Sequence, residues 1–293
     1  MATEAATAAA TKNGFPTEGE VQALATSKDK VCWSSFSAGA PRTSVVACAN
    51  KRNGKRTELV RDTLVHPGLA VSGSDVYWST EMTATIDRAP LVGGPASPFV
   101  TTKGPHGRFV VARGSFYWTV DAGQQGTQLL TATGTSSPTK LVSLGAVDPG
   151  LLAVVEYTVY DHPVAFWFAN GVRHVRTGGN EPPQQLSGGC FYPSDLAADS
   201  EYAYWSCEDR TFHWAAWRGG KEHVEHDAGL GQIATFGGAA YVTDVLGGRI
   251  LRARAADGVL EVVRTGLDQP SWIAVDESGI YASERGRIRR YPL

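Results

Sequence analysis

A phrase repeated along the chain, the distance between its copies and the absence of helical periodicity predict an all-β fold, a single seven-bladed β-propeller. The phrase is an apolar triplet, a polar turn and an aromatic-rich strand. It reads LAVSGSDVYWST at Leu69–Thr80, FVVARGSFYWT at Phe109–Thr119 and LAADSEYAYWSC at Leu196–Cys207. It returns as IATFGGAAYVTD at Ile233–Asp244 and IAVDESGIYASE at Ile273–Glu284. ALATSKDKVCWSS at Ala23–Ser35 is a sixth copy, and LLAVVEYTVYDHPVAFWF at Leu151–Phe168 is the most degenerate.

Each copy is followed by a second alternating segment and often a Gly-rich turn, as in Thr85–Val100 and Arg249–Val263. Period-2 alternation in short runs between Gly, Asp and Asn turns marks strands, and no segment sustains the 3.6-residue period of a helix. A full unit is therefore strand, turn, strand, loop, strand, turn, strand. The first strands begin near residues 21, 69, 107, 150, 193, 231 and 270, about 41.5 residues apart. Four strands at that period are a propeller blade. Six blades are the alternative, with Leu151–Phe168 distorted. The seventh unit has only three strands before Leu293, and an unclosed blade leaves an unpaired edge. The missing strand is expected from residues 1–17, a leader and closing strand, with the propeller over residues 18–293.

Composition narrows the function. With 42% hydrophobic and 19% charged residues the chain can build a large core. A net charge of −2 leaves no basic footprint, so nucleic acid is not an expected partner. Apolar runs such as Val45–Ala49 are far short of the roughly 18 residues of a membrane span. Met1–Gly14 has neither the basic start nor the apolar centre of a signal peptide.

The four cysteines are spaced as two local pairs: Cys32 and Cys48, 16 apart, and Cys190 and Cys207, 17 apart. Without a CxxC motif zinc has no support. Cys32 falls on the second strand of blade one and Cys48 on the antiparallel third. Cys190 precedes the first strand of blade five and Cys207 ends the second. Hairpins thus bring each pair within disulfide reach. Paired cysteines predict a secreted or periplasmic protein, and free buried thiols a cytoplasmic one.

Val76-Tyr77-Trp78-Ser79-Thr80, Phe116-Tyr117-Trp118-Thr119 and Tyr241-Val242-Thr243-Asp244 resemble YWTD-type propeller repeats. Pro270-Ser271-Trp272-Ile273-Ala274-Val275-Asp276 and the Gly-Gly turns are similar to NHL repeats and to the virginiamycin B lyase family. The resemblance runs from about Glu18 to the end. It implies the propeller fold and, from the lyase family, a metal-bearing site at the top face. These families include receptors, scaffolds, lectin-like modules and enzymes, so it fixes no single function. The chain departs from YWTD receptors by its seventh unit, and from the lyases by lacking most of their Trp-Phe-Thr-Glu strand ends.

In a propeller the loop entering the first strand and the loop leaving the second share one face, the top. Entry loops contribute His66, His106, Asp148, Tyr192 and Gln269, and second-strand exits contribute acids that include Asp244 and Glu284. These seven residues are the candidate ligand-binding set. His66 and His106 are also the candidate catalytic pair, because imidazoles beside carboxylates suit acid–base chemistry near neutral pH. The carboxylates equally suit oxygen-seeking calcium or magnesium. They also suit structural work, accepting hydrogen bonds from buried backbone donors.

Other motifs carry less. His223-Val224-Glu225-His226 reads as a surface outer strand, since His223 and Glu225 share a face that His226 does not. The basic run Lys51–Arg56 around Asn53-Gly54 reads as a solvated turn. No GxSxG, HExxH or Walker motif occurs. The expected function is a monomeric binding protein holding a small ligand, glycan or peptide at the top of the central channel. The alternative is a metal-assisted lyase or hydrolase at the same mouth.

Overall fold

The computed structural model describes residues 14–39, 42–62, 65–80, 85–101, 106–112, 114–134, 136–145, 151–155, 162–169, 171–177, 181–187, 190, 192–228 and 231–293. The fold is an all-β, seven-bladed β-propeller of seven four-stranded antiparallel sheets. Helix is limited among the described residues to two single 3-10 turns, Gly123–Gln125 and Ala255–Asp257.

The chain folds as two compact units. The first, Met1–Thr101 with Asp268–Leu293, holds blades one, two and seven. Blade one is Glu20–Thr26, Lys30–Ser37, Thr43–Asn50 and Arg56–Asp62, and blade two is Val65–Ser72, Asp75–Thr80, Thr85–Pro90 and Ser97–Thr101. The second unit, Thr102–Leu267, holds blades three to six. Blade three is His106–Ala112, Ser115–Asp121, Thr127–Thr133 and Thr139–Gly145. Blade four is Leu152–Val155, Val164–Phe168, Val172–Arg176 and Gln184–Gln185. Blade five is Pro193–Ala198, Tyr202–Cys207, Phe212–Ala216 and His223–Glu225. Blade six is Ile233–Phe236, Ala239–Asp244, Arg249–Arg254 and Val259–Thr265.

Blade seven is Ile273–Asp276, Gly279–Glu284 and Arg287–Tyr291, completed by Phe15–Pro16 from the other end of the chain. Phe15 pairs with Ile288 and Pro16 with Arg287. This is the closing strand that the three-stranded last repeat requires. Residues 1–13 of the expected leader lie outside the described residues.

Within each unit the core lies between neighbouring sheets, because the blades bury apolar side chains against one another. In the second unit Phe166 and Val172 of blade four pack with Trp205 and Trp217 of blade five. In the first, Phe15, Tyr281 and Ile288 of blade seven pack with Val31 and Trp33 of blade one. The tryptophans of the repeat sit at the centre: Trp33, Trp78, Trp118, Trp167 and Trp205 are fully buried.

Both disulfides are present. Cys32 and Cys48 face each other across adjacent strands with Cα atoms 4.0 Å apart, and Cys190 and Cys207 are bridged at 6.1 Å. Two bridges point to an oxidising compartment. Among the described residues no helix is long and apolar enough to cross a membrane.

One expectation is corrected. Lys51 is not solvated: it is 5% exposed, its ammonium donating to Asp276 Oδ2 and to the Ser27 carbonyl. It also sits 5.0 Å over the Tyr281 ring. The turn reading fails at this residue because Lys51 stands at the end of the third strand, where blade seven covers it. Asp276 is partly buried, which opposes ionisation. The Lys51 and Ser278 hydrogen bonds and the Lys51 charge outweigh that and hold its carboxyl below the usual range.

Candidate functional site

Every blade pairs its inner and second strands in one register. Leu24 faces Trp33, Leu69 faces Trp78, Phe109 faces Trp118 and Leu152 faces Trp167. Leu196 faces Trp205, Ile233 faces Val242 and Ile273 faces Ala282. Blade to blade, the residue just before this apolar position is Ala23, Gly68, Arg108, Leu151, Asp195, Gln232 and Trp272. The column carries a charge or an amide only in blades three, five and six, all in the second unit.

There the three side chains meet. Arg108 Nη1 donates to Asp195 Oδ1, and Nη2 donates to Gln232 Oε1 at 2.6 Å. Asp195 Oδ2 accepts the Ile233 backbone N–H at 2.6 Å. Asp195 is 1% exposed, whereas the Arg108 side chain keeps 23% of its surface. A buried carboxylate is costly unless paired and hydrogen-bonded, and here both oxygens are engaged. The result is a fixed, partly open guanidinium at the inner-strand entries.

The surrounding backbone is fixed by the repeat's own hydroxyls. The Gln232 N–H donates to Thr243 Oγ1 at 3.0 Å, and Ser206 Oγ donates to the Gly231 carbonyl at 3.2 Å. Gly231 has to be glycine: a β-carbon there would lie 1.9 Å from Thr243 Oγ1. In blade seven Ser283 Oγ accepts the Trp272 N–H at 2.8 Å. The hydroxyl at this strand position thus tethers the entry of its own inner strand in blades six and seven, and from blade five it tethers the entry of blade six.

Tyr192 enters blade five three residues before Asp195. The residue is 72% exposed and its φ is +55°. Such a left-handed backbone is uncommon for a bulky residue. Cys190, bridged to Cys207, anchors the entry, and the Tyr192 carbonyl accepts the Glu208 N–H at 3.0 Å.

Asp244 is 1% exposed. Its Oδ1 accepts the Gly247 N–H at 2.9 Å and its Oδ2 accepts Arg249 Nε at 2.6 Å. In the first unit Glu284, also buried, accepts the Asp268 N–H at 3.1 Å and the Tyr291 hydroxyl. Burial and the Glu284 carboxylate push the Tyr291 hydroxyl up. Gln269 is exposed with φ +50°. His66 and His106 begin inner strands, but their side chains, and all of Asp148, lie outside the described residues. Among the described residues no group of three or more His, Cys, Asp or Glu is arranged to hold a metal.

Sequence reasoning missed Arg108, Asp195 and Gln232. Arg108 and Asp195 sit inside strands, and the Gly-rich lead into Gln232 reads as an ordinary turn. The signal that exposes them is the column just before the apolar residue facing the repeat's Trp position.

Fold and site together define a seven-bladed β-propeller with a polar cluster at the inner-strand entries of its second unit. No family model matches the chain, and no curated protein matches it. The resemblance to YWTD, NHL and virginiamycin B lyase repeats therefore rests on the quoted residues alone. Among solved structures the chain is similar to the Cps50 (Swd1) β-propeller domain of Myceliophteria thermophila, 12% identical with a TM-score of 0.65 over 93% of this chain and 96% of that one. BamB from Moraxella catarrhalis is 15% identical with a TM-score of 0.55 over 92% and 84%. A puromycin-hydrolyzing peptidase of Mycobacterium tuberculosis is 14% identical with a TM-score of 0.67 over 94% of this chain but 50% of that one. These likenesses establish the fold and nothing finer.

Proposed function

We propose that the protein is a binding module that holds a small ligand, glycan or peptide at the inner-strand entries of its second unit. The observation that carries the proposal is Tyr192, a large aromatic residue 72% exposed on a left-handed backbone beside a disulfide anchor. Strained backbone persists where the surroundings over-determine it, and such sites cluster at functional positions. Three residues further on, Asp195 engages the Arg108 guanidinium. Aromatic rings and arginines are the residue types that dominate binding energy. A pre-fixed set of this kind loses little side-chain entropy on binding.

His106, Asp148 and Asp244 complete the proposed set in this unit. His66, Gln269 and Glu284 are the corresponding candidates in the first unit. The test is a parallel screen of a glycan array, a displayed peptide library and a small-molecule set, repeated with Tyr192→Ala. The expected result is hits that the substitution weakens by roughly tenfold or more, the loss of about 1.4 kcal/mol or more that marks an anchoring side chain. Hits bound equally by both proteins would sink the assignment.

A further inference from the structure

A line of hydrogen bonds in blade five runs from its inner-strand entry to the seam with blade four. Asp209 follows Cys207, whose strand partner is Pro193 at that entry. Its Oδ1 accepts the Thr211 hydroxyl at 2.6 Å and the Thr211 N–H at 3.1 Å. The same hydroxyl oxygen lies 2.7 Å from His213 Nε2, and His213 Nδ1 lies 2.7 Å from Glu222 Oε1. Glu222 Oε2 accepts the hydroxyl of Ser187, just past the outer strand of blade four, at 2.8 Å. Thr211 and His213 are buried, and the His213 ring stacks on Trp205 at 5.3 Å, whereas Asp209 is exposed. The order hydroxyl, imidazole, carboxylate is that of a nucleophilic triad. A nucleophile must reach its substrate, however, and Thr211 is buried with its hydrogen directed at Asp209.

Counting protons gives the line a different use. An ionised carboxylate only accepts, and a hydroxyl has one hydrogen to give. With that hydrogen on Asp209, the Thr211 oxygen accepts from His213 Nε2, and Nδ1 donates to Glu222. Every bond is therefore supplied only when the ring carries both protons. A neutral ring keeps its proton on Nδ1, against Glu222, and its bare Nε2 then takes the Thr211 hydrogen. Asp209 is left with the backbone N–H alone. The Thr211 hydroxyl holds the Asp209 carboxyl below its usual range against a desolvation cost, helped by the Thr211 N–H and by the charges of His213 and His226. Arg210, beside Asp209, pairs with Asp227 at 3.6 Å. Across the seam the charged and titratable groups are His174, Arg176 and Glu181 of blade four and Arg218 of blade five. Arg176 pairs with Glu181, and burial lowers the proton affinity of His174.

We propose that His213 is a pH-responsive switch for the inner-strand entry of blade five. Its protonated ring directs the Thr211 hydroxyl to Asp209 and clamps the turn over residues 208–210. Its neutral ring draws the hydroxyl inward and releases the Asp209 side chain. The clamp is complete on the acid side and loosens as pH rises through the interval of about 5 to 8 in which histidine changes charge. The same turn touches Tyr192, whose carbonyl accepts the Glu208 N–H at 3.0 Å, so the switch acts on backbone that positions the entry. It operates in the ligand-free protein, and its failure would leave the binding reading untouched.

NMR of the nitrogen-15-labelled full chain between pH 5 and pH 8 tests it without a ligand. At the acid end both ring nitrogens of His213 are expected to carry protons. As pH rises Nε2 alone loses its proton, and the Asp209 and Arg210 amide signals move with the same midpoint. In Thr211→Val the His213 ring still titrates but those two amides no longer follow it, whereas in His226→Gln and in His174→Phe they follow as before. Should Thr211→Val fail to fold, the unaltered protein decides, because still amides beside a titrating His213 ring overturn the proposal on their own. A ring whose protonation does not change over this interval, or a proton lost from Nδ1, would overturn it as well. So would amides that follow His213 undiminished in Thr211→Val, or whose movement disappears in folded His226→Gln or His174→Phe.

Discussion

Arg108 and Asp195 pose a choice between stability and function that substitution resolves. Removing one partner of a buried ion pair costs about 3–5 kcal/mol, whereas replacing both by apolar residues of similar volume is often neutral. Asp195→Ala should therefore lower the melting temperature strongly. Arg108→Met with Asp195→Leu should recover most of that loss in thermal denaturation and still abolish ligand binding. A double variant as unstable as Asp195→Ala would make the pair purely structural. Lys51, buried, and Asp276, partly buried, form a second pair, and Lys51→Met should lower stability in urea denaturation by less than the about 3–5 kcal/mol of a fully buried pair. Because the folded Asp276 carboxyl titrates below its unfolded value of about 3.9, its stabilising contribution is full above that pH and is lost as pH falls further. The wild type should lose stability below about pH 4 more steeply than Lys51→Met. Equal slopes would remove the pair from the account. At this scale the sequence could say which loops share a face, because strand order alone decides that. It did not reveal which side chains converge, because Arg108 bonds to residues 87 and 124 positions away.

The closing strand is only two residues long, yet its effect should be large. Phe15 is 3% exposed and packs with Val31, Trp33, Tyr281 and Ile288. Phe15→Ala should cost about 3–5 kcal/mol, the usual loss for a core phenylalanine. Deleting residues 1–17 should do at least as much, and an unchanged melting temperature in calorimetry would contradict the closure. The Cys32–Cys48 bridge closes a loop of 16 residues, for which the chain-entropy estimate is about 3 kcal/mol. Replacing both cysteines with alanine should lower stability by about that amount in denaturant titration, and no change would show the hairpin alone to be sufficient. The strands themselves were legible because the apolar–aromatic phrase recurs in one register. Blade four was the hardest to read. Its outer strand is only Gln184–Gln185, and its inner strand is Leu152–Val155, so little alternation is left to detect.

For the whole molecule, the blade number followed from the repeat period because each unit must present one apolar sheet to each neighbour. Inner strands expected near residues 21, 69, 107, 150, 193, 231 and 270 begin at 20, 65, 106, 152, 193, 233 and 273. Function was less legible, since one propeller scaffold carries many activities and the informative residues are exceptions to the repeat. The central claim is that the inner-strand entries of the second unit bind the ligand. Site-specific photo-crosslinking tests it most directly, with a ligand taken from the screens and benzoylphenylalanine placed either at Tyr192 or at Ser74, an exposed turn between inner and second strands. The account predicts crosslinking from position 192, competed by unlabelled ligand, and none from position 74. Crosslinking from position 74, or from neither position with a ligand that binds, would contradict it.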